Sequence, residues 1–179
     1  KFKKKNVNKF YYYKKIIRLL QKMQKIKVRK MKTFLNSKHK ITIYSNNKLV
    51  NEANLFLKWY LPKYIKGNRK KVIKKKIYKI YKILIKKLIY KKKVFVHRDF
   101  HVSNIMITKN GLGLIDSQDA VFGNIAYDLA SLIDDVRFKT SIKTKKFVFD
   151  EFLKINKSLN IKKFQNDFEI LSVMRNLKI

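Results

Sequence analysis

The 179-residue chain sets 46 Lys and Arg against 11 Asp and Glu, a formal charge of +35, while 46% of its residues are hydrophobic; this is one domain's length with enough apolar content for a core. Without cysteine it forms neither disulfides nor a thiolate metal site, which fits a reducing, cytoplasmic setting. It contains no run of about eighteen apolar residues for a membrane span, and its basic start lacks the apolar segment and cleavage site of a secretory signal.

Residues 10–28 are predicted as a helix, with Ile16, Ile17, Leu19, Leu20, Met23 and Ile26 forming a broad apolar face. Tyr11, Tyr12 and Tyr13 beside lysines resemble a stacking platform for single strands; a helix start with ordinary packing explains them equally well. Residues 27–45 are ambiguous, although Ile41-Thr42-Ile43-Tyr44 alternates enough for a strand or extended loop. A second helix is expected from Asn51 as N-cap to Tyr60 or Leu61, where Pro62 ends or kinks it. On it, Trp59, Tyr60 and the following Tyr64 are expected in the core rather than as rings that stack on a base or sugar. After Gly67-Asn68, residues 70–91 form the clearest helix, with a stripe of Ile73, Ile77, Ile80, Leu84 and Leu88 between solvated lysines.

Val94-Phe95-Val96 reads as a buried strand. Residues 105–108 and 112–115 are two further short apolar runs around Asn110-Gly111, a strong hairpin signal because both centres of a type I′ turn need positive φ. With that pair as the turn, Ile107 faces Leu114 and Ile105 faces Asp116, and Asn104 emerges beside Asp116 at the open end. Residues 126–136, 142–157 and 162–179 read as helices, completing a mostly helical α+β framework around a small β element.

The loop after the first strand holds the chemistry. In Val96-His97-Arg98-Asp99-Phe100-His101-Val102-Ser103-Asn104, an Asp and an Asn lie five residues apart, and Asp116 ends the hairpin that folds back beside them. Phosphoryl transfer needs such a set: one carboxylate to take the proton of a hydroxyl, and hard oxygen ligands to hold Mg²⁺ on nucleotide phosphates. Singly, Asp99 and Asn104 would be read as turn caps; together with Asp116 they point to a kinase. His97, Asp99 and His101 alternate in the manner of zinc ligands on a strand, but the remaining histidine, His39, completes no cluster. Asp134-Asp135 suggests a cation site less than a solvated helix end near Arg137.

This segment resembles the catalytic loop and metal-binding strand of the aminoglycoside phosphotransferase and choline kinase superfamily, which shares the protein-kinase fold. Residues 115–132, Ile-Asp-Ser-Gln-Asp-Ala-Val-Phe-Gly-Asn-Ile-Ala-Tyr-Asp-Leu-Ala-Ser-Leu, are most similar to its bacterial branch of anomeric N-acetylmuramate/N-acetylglucosamine kinases of cell-wall sugar recycling. Residues 52–62, from Glu52 through Trp59 to Pro62, are similar to a helix of that branch. The resemblance runs from about Phe10 to the last residue. It implies ATP and Mg²⁺ as cofactors and a small-molecule acceptor, with Asp99 as catalytic base and Asn104 and Asp116 as metal ligands. It further implies that His97 and Arg98 brace the loop and that Asp128 anchors it. Asp119 is a candidate for substrate or metal contact and His101 for substrate contact. Ser117 departs from the family, which usually has an aromatic after the metal-binding Asp.

None of the four glycines forms a phosphate-covering loop, and no strand-rich domain precedes Asp99. The expectation is therefore the C-terminal lobe of a larger phosphotransferase, truncated at its far end and inactive alone. The alternatives are a basic nucleic-acid-binding module without enzymatic activity and a zinc hydrolase built on His97, Asp99 and His101. Lysines in every segment and a single Pro favour compositional drift as the origin of the charge, which would bind polyanions non-specifically at low salt regardless.

Overall fold

The computed structural model describes residues 8–32 and 38–178. Helix α1 (Lys9–Gln24) is capped by Asn8, whose Oδ1 accepts the Tyr11 amide at 3.1 Å. It buries Tyr13, Ile16, Ile17, Leu20 and Met23 against the strand that begins at Lys93 and a later helix. Each aliphatic side chain so buried contributes about 1.5–3 kcal/mol. The ambiguous stretch holds a short antiparallel pair, β1 (Lys30–Lys32) and β2 (Lys38–Lys40). Beyond it, the extended backbone of residues 42–44 is hydrogen-bonded on both sides of Phe122.

Helix α2 (Asn46–Leu55) starts five residues before the expected Asn51, because Ser45 Oγ already accepts the Lys48 amide at 3.2 Å and Leu49, Val50 and Ala53 supply its buried face. Pro62 does not end this rod. A π turn at Phe56–Tyr60 leads into α3 (Leu61–Tyr64), where Pro62 sits in the first turn and its missing N–H is no loss. The wider turn also corrects the expected burial of the aromatics. One additional residue per turn rotates the later side chains by about 100°, and Trp59, Tyr60 and Tyr64 are 63%, 47% and 68% exposed.

Helix α4 (Gly67–Lys86) begins earlier and ends sooner than expected. Its deepest residues are Tyr81 and Ile85, and Ile80 is half exposed, so Tyr81 replaces Ile80 in the inward stripe. Its end is set from outside: the Asp167 carboxylate accepts the amides of Ile89 and Tyr90 at 2.7 and 2.9 Å, drawing the chain out of helical geometry.

Strand β3 (Lys93–Val96) pairs antiparallel with β6 (Val121–Asn124), a buried strand that periodicity did not announce. Between them lies the hairpin of β4 (Ile105–Thr108) and β5 (Gly111–Leu114). Its register differs from the expected one: Ile107 faces Leu112 and Ile105 faces Leu114. Lys109 and Asn110 make the turn at negative φ, and Gly111 alone takes the positive value, 125°. A type I′ turn at Asn110-Gly111 would need positive φ at Asn110 as well.

Helix α5 (Tyr127–Ile133) is buried throughout, covered by α7 (Ile161–Asn176) and α6 (Ile142–Ile155). These three match the expected helices, each ending two or three residues earlier than expected, and α7 begins one residue earlier, at Ile161; Ile179 lies outside the described residues. The result is the expected mostly helical α+β fold with a hairpin beside the loop of residues 97–104. Among the described residues, no helix is long and apolar enough to cross a membrane.

Candidate active site

The site begins where β3 ends. The amides of His97 and Arg98 both donate to Asp128, at 2.7 Å to Oδ2 and 3.1 Å to Oδ1. Asp128 stands in the first turn of α5 and is wholly buried. Burial pushes its carboxyl up to about 7, against the pull of the two amides and of the Arg175 charge. The anchoring expected of Asp128 is thus made through the loop's backbone.

His97 is buried, with Nε2 at 3.0 Å from the carbonyl of Ile115. Burial lowers its pKa, although Ile115, Asp99 and Asp116 all favour the charged form, so the ring is neutral at pH 7. A carbonyl only accepts, so the proton resides on Nε2 and ties the loop to the exit of β5. Arg98 sits at φ 75°. Its guanidinium donates to Glu52 Oε1 at 2.6 Å and to the Asp119 carbonyl at 3.3 Å, and lies over the Tyr44 ring.

The carbonyl of Asp99 accepts the His101 amide and Asn104 Nδ2, each at 3.0 Å. The second bond closes the short 3₁₀ turn Val102–Asn104 against Asp99 and commits the Asn104 amide group, leaving its Oδ1 for another partner. The Asn104 carbonyl accepts the Ile115 amide at 3.1 Å, extending the hairpin ladder by one rung. Asn104 and Asp116 therefore do emerge at the open end of the hairpin, although the register behind them differs. Asp116 sits at φ 67°, and its Oδ1 accepts from Gln118 Nε2. The Asp99 and Asp116 carboxylates both act on the His97 ring.

The outlying candidates fare differently. Asp119 is exposed, with Oδ1 at 3.7 Å from Arg98 Nη1. His101 is buried, with Nδ1 at 3.9 Å from Asp135 Oδ2, and burial together with Arg137 lowers its pKa; almost none of it is open to a substrate. Asp135 is buried and bonded to Arg137 rather than solvated, while Asp134 pairs with Lys145. Among the described residues no three His, Cys, Asp or Glu side chains are placed to hold a metal. A site with two protein oxygen ligands is instead what Mg²⁺ takes when substrate phosphates complete its shell.

A cavity of about 270 Å³ opens beside Asp99, lined also by Arg137, Arg175 and Lys178. Sequence reasoning assigned nothing to Arg175 or Lys178, to Tyr44, to Glu52 on Arg98, or to Asp167. One signal was present: with 11 acidic residues in so basic a chain, each carboxylate is informative. For Asp167 it had no address, since Ile89 is 78 residues away.

Residues 10–149 match the model of the family described as phosphotransferase enzymes. The N-acetylmuramate/N-acetylglucosamine kinase of Neisseria meningitidis serogroup B is 30% identical over 146 residues, covering 76% of this chain and 42% of the relative. The protein of the same name from Pseudomonas putida is 32% identical over 92 residues, covering 51% of this chain and 27% of the relative. An ethanolamine kinase of Plasmodium vivax shares the fold, with a TM-score of 0.63 at 15% identity over 94% of this chain and 51% of that one. The chain thus spans less than half the length of these curated relatives and about half of the solved structure. With a family model matched over residues 10–149, most of its length, the chain belongs to the phosphotransferase enzyme family.

Proposed function

We propose that this chain is the acceptor- and metal-binding lobe of an ATP-dependent, cytoplasmic small-molecule kinase that phosphorylates a hydroxyl of an amino sugar or an aminoglycoside. The observation that carries it is the clamp of Asp128 on the His97 and Arg98 amides, which presents Asp99 at the cavity while Asn104 is fastened to the same loop. The names of the relatives, N-acetylmuramate/N-acetylglucosamine kinases, support an amino sugar as the acceptor.

Asp99 orients the acceptor hydroxyl and takes its proton as the oxygen attacks the γ-phosphorus and the bond to the leaving ADP breaks. The donor chemistry fits Mg²⁺: Asn104 and Asp116 offer hard oxygens, and the Asn104 bond through Nδ2 leaves its Oδ1 available. When bound, the ion neutralises charge on the phosphate oxygens. His97 and Arg98 hold the loop, and Asp119 stands at its rim as a contact for substrate or metal. His101 supports the loop from below rather than touching substrate.

The test is ATP consumption with N-acetylglucosamine, N-acetylmuramate and an aminoglycoside, by the protein carrying this chain and by its Asp99→Asn variant. Turnover is expected to depend on Mg²⁺ and to fall by about 10²–10⁴-fold in the variant, with Tm unchanged. Near-normal turnover in Asp99→Asn would exclude Asp99 as the base.

A further inference from the structure

The cavity beside Asp99 is lined by three cations and one carboxylate. Neither Asn104 nor Asp116 lines it, so its cations stand apart from the two proposed metal ligands. Arg175, on α7, is nine-tenths buried; its Nε has no partner, and Nη1 reaches only Asn176 Oδ1 at 3.5 Å. A buried guanidinium with an unmet donor is costly, and its planar fork matches a carboxylate or phosphate. Arg137 is aimed by Asp135, which accepts both its Nε at 2.9 Å and its amide at 3.1 Å; that anchoring leaves the terminal amino groups for another acceptor. Lys178 Nζ lies 3.7 Å from Glu52 Oε2, and Glu52 is already engaged by Arg98.

We infer that Arg137, Arg175 and Lys178 form an anion-binding subsite for a carboxylate carried by the acceptor itself; this rests on the reading of Asp99 as the base that receives the acceptor hydroxyl. The subsite selects the acceptor class. An anionic sugar gains charge-assisted hydrogen bonds there, a neutral one leaves the donors unmet, and a polycationic aminoglycoside is repelled. It thereby chooses between the two acceptor types that the catalytic loop alone leaves open.

N-acetylmuramate differs from N-acetylglucosamine by a lactyl ether that carries a carboxylate, so the two make a matched pair. Calorimetric titration of the 179-residue chain is expected to give at least about tenfold tighter binding of N-acetylmuramate. An Arg137→Gln/Lys178→Gln double variant should lose that preference while binding N-acetylglucosamine as before. Arg137 is also the partner of the buried Asp135, so the double variant is titrated well below its own Tm, and Arg175→Lys should retain part of the preference. Equal binding of the two sugars, a preference surviving in the double variant, or no binding of either sugar would overturn the subsite. So would loss of inorganic phosphate binding in the double variant with sugar discrimination intact, since the cations would then serve the transferring phosphoryl group. The preference should persist in Asp99→Asn. Turnover without an anion preference would therefore sink the subsite alone, and an anion preference without turnover would sink the kinase reading alone.

Discussion

Arg98 and Asp116 are the non-glycine residues held at positive φ among the described residues, and they bracket the site. Left-handed backbone costs an L side chain about 1–2 kcal/mol, so each must be held by its surroundings. For Arg98 the holders are Asp128 at the amide and Glu52 at the guanidinium; Asp116 is held through Gln118 and the pinned Ile115 beside it. The strain falls immediately before the proposed base and on a proposed metal ligand. Asp128 yields a pH prediction. Burial raises its pKa from 3.8 to about 7, so the folded chain keeps a proton that the unfolded chain has released. The stability this contributes is complete below the unfolded pKa and is lost as pH rises through the folded one. The Tm advantage of the parent over Asp128→Asn should therefore be larger at about pH 5 than at about pH 8. The reverse order would mean that the two amides and Arg175 outweigh burial. Asp99 and Asn104 stood out in the sequence because they lie five residues apart, whereas Asp128 was a candidate only through the resemblance of residues 115–132. The role of Glu52 was not legible, because its partner Arg98 is 46 residues away.

At the scale of elements, misreadings occurred where a distant group set a local boundary. The end of α4 follows from Asp167, which is buried and binds the Ile89 and Tyr90 amides and Asn124 Nδ2, the last at 2.6 Å. One carboxylate thereby ties α7 to the entrance of β3 and to β6. Asp167→Ala should lower stability by at least about 2 kcal/mol, because buried donors lose their acceptor. In thermal denaturation this is a fall in Tm of about 4 °C or more; a smaller change would show that solvent replaces the carboxylate freely. The hairpin shows the opposite case. Its existence was legible from Asn110-Gly111, but the register depended on which residue would bear positive φ. Gly111 does so without strain, which spares Asn110. The π turn before Pro62 left no periodic trace, and it decided that Trp59, Tyr60 and Tyr64 would face outward.

For the whole molecule the +35 charge predicts association with any polyanion. Binding to heparin and to unrelated RNAs, followed by fluorescence anisotropy, should weaken by about 10³-fold or more between about 50 and 200 mM salt and be indifferent to sequence. A sequence preference persisting at physiological salt would favour the nucleic-acid module over compositional drift. Even in a chain so short of acids, Asp128, Asp135 and Asp167 are all buried. By itself the sequence determined the helical framework, the hairpin, the catalytic loop and its candidate base and metal ligands, since each is written in spacings of a few residues. Only the tertiary structure decided the clamps that hold the loop, the outward aromatics and the cationic cavity beside Asp99. Those depend on side chains brought together from tens of residues apart, and neither periodicity nor local spacing carries that information.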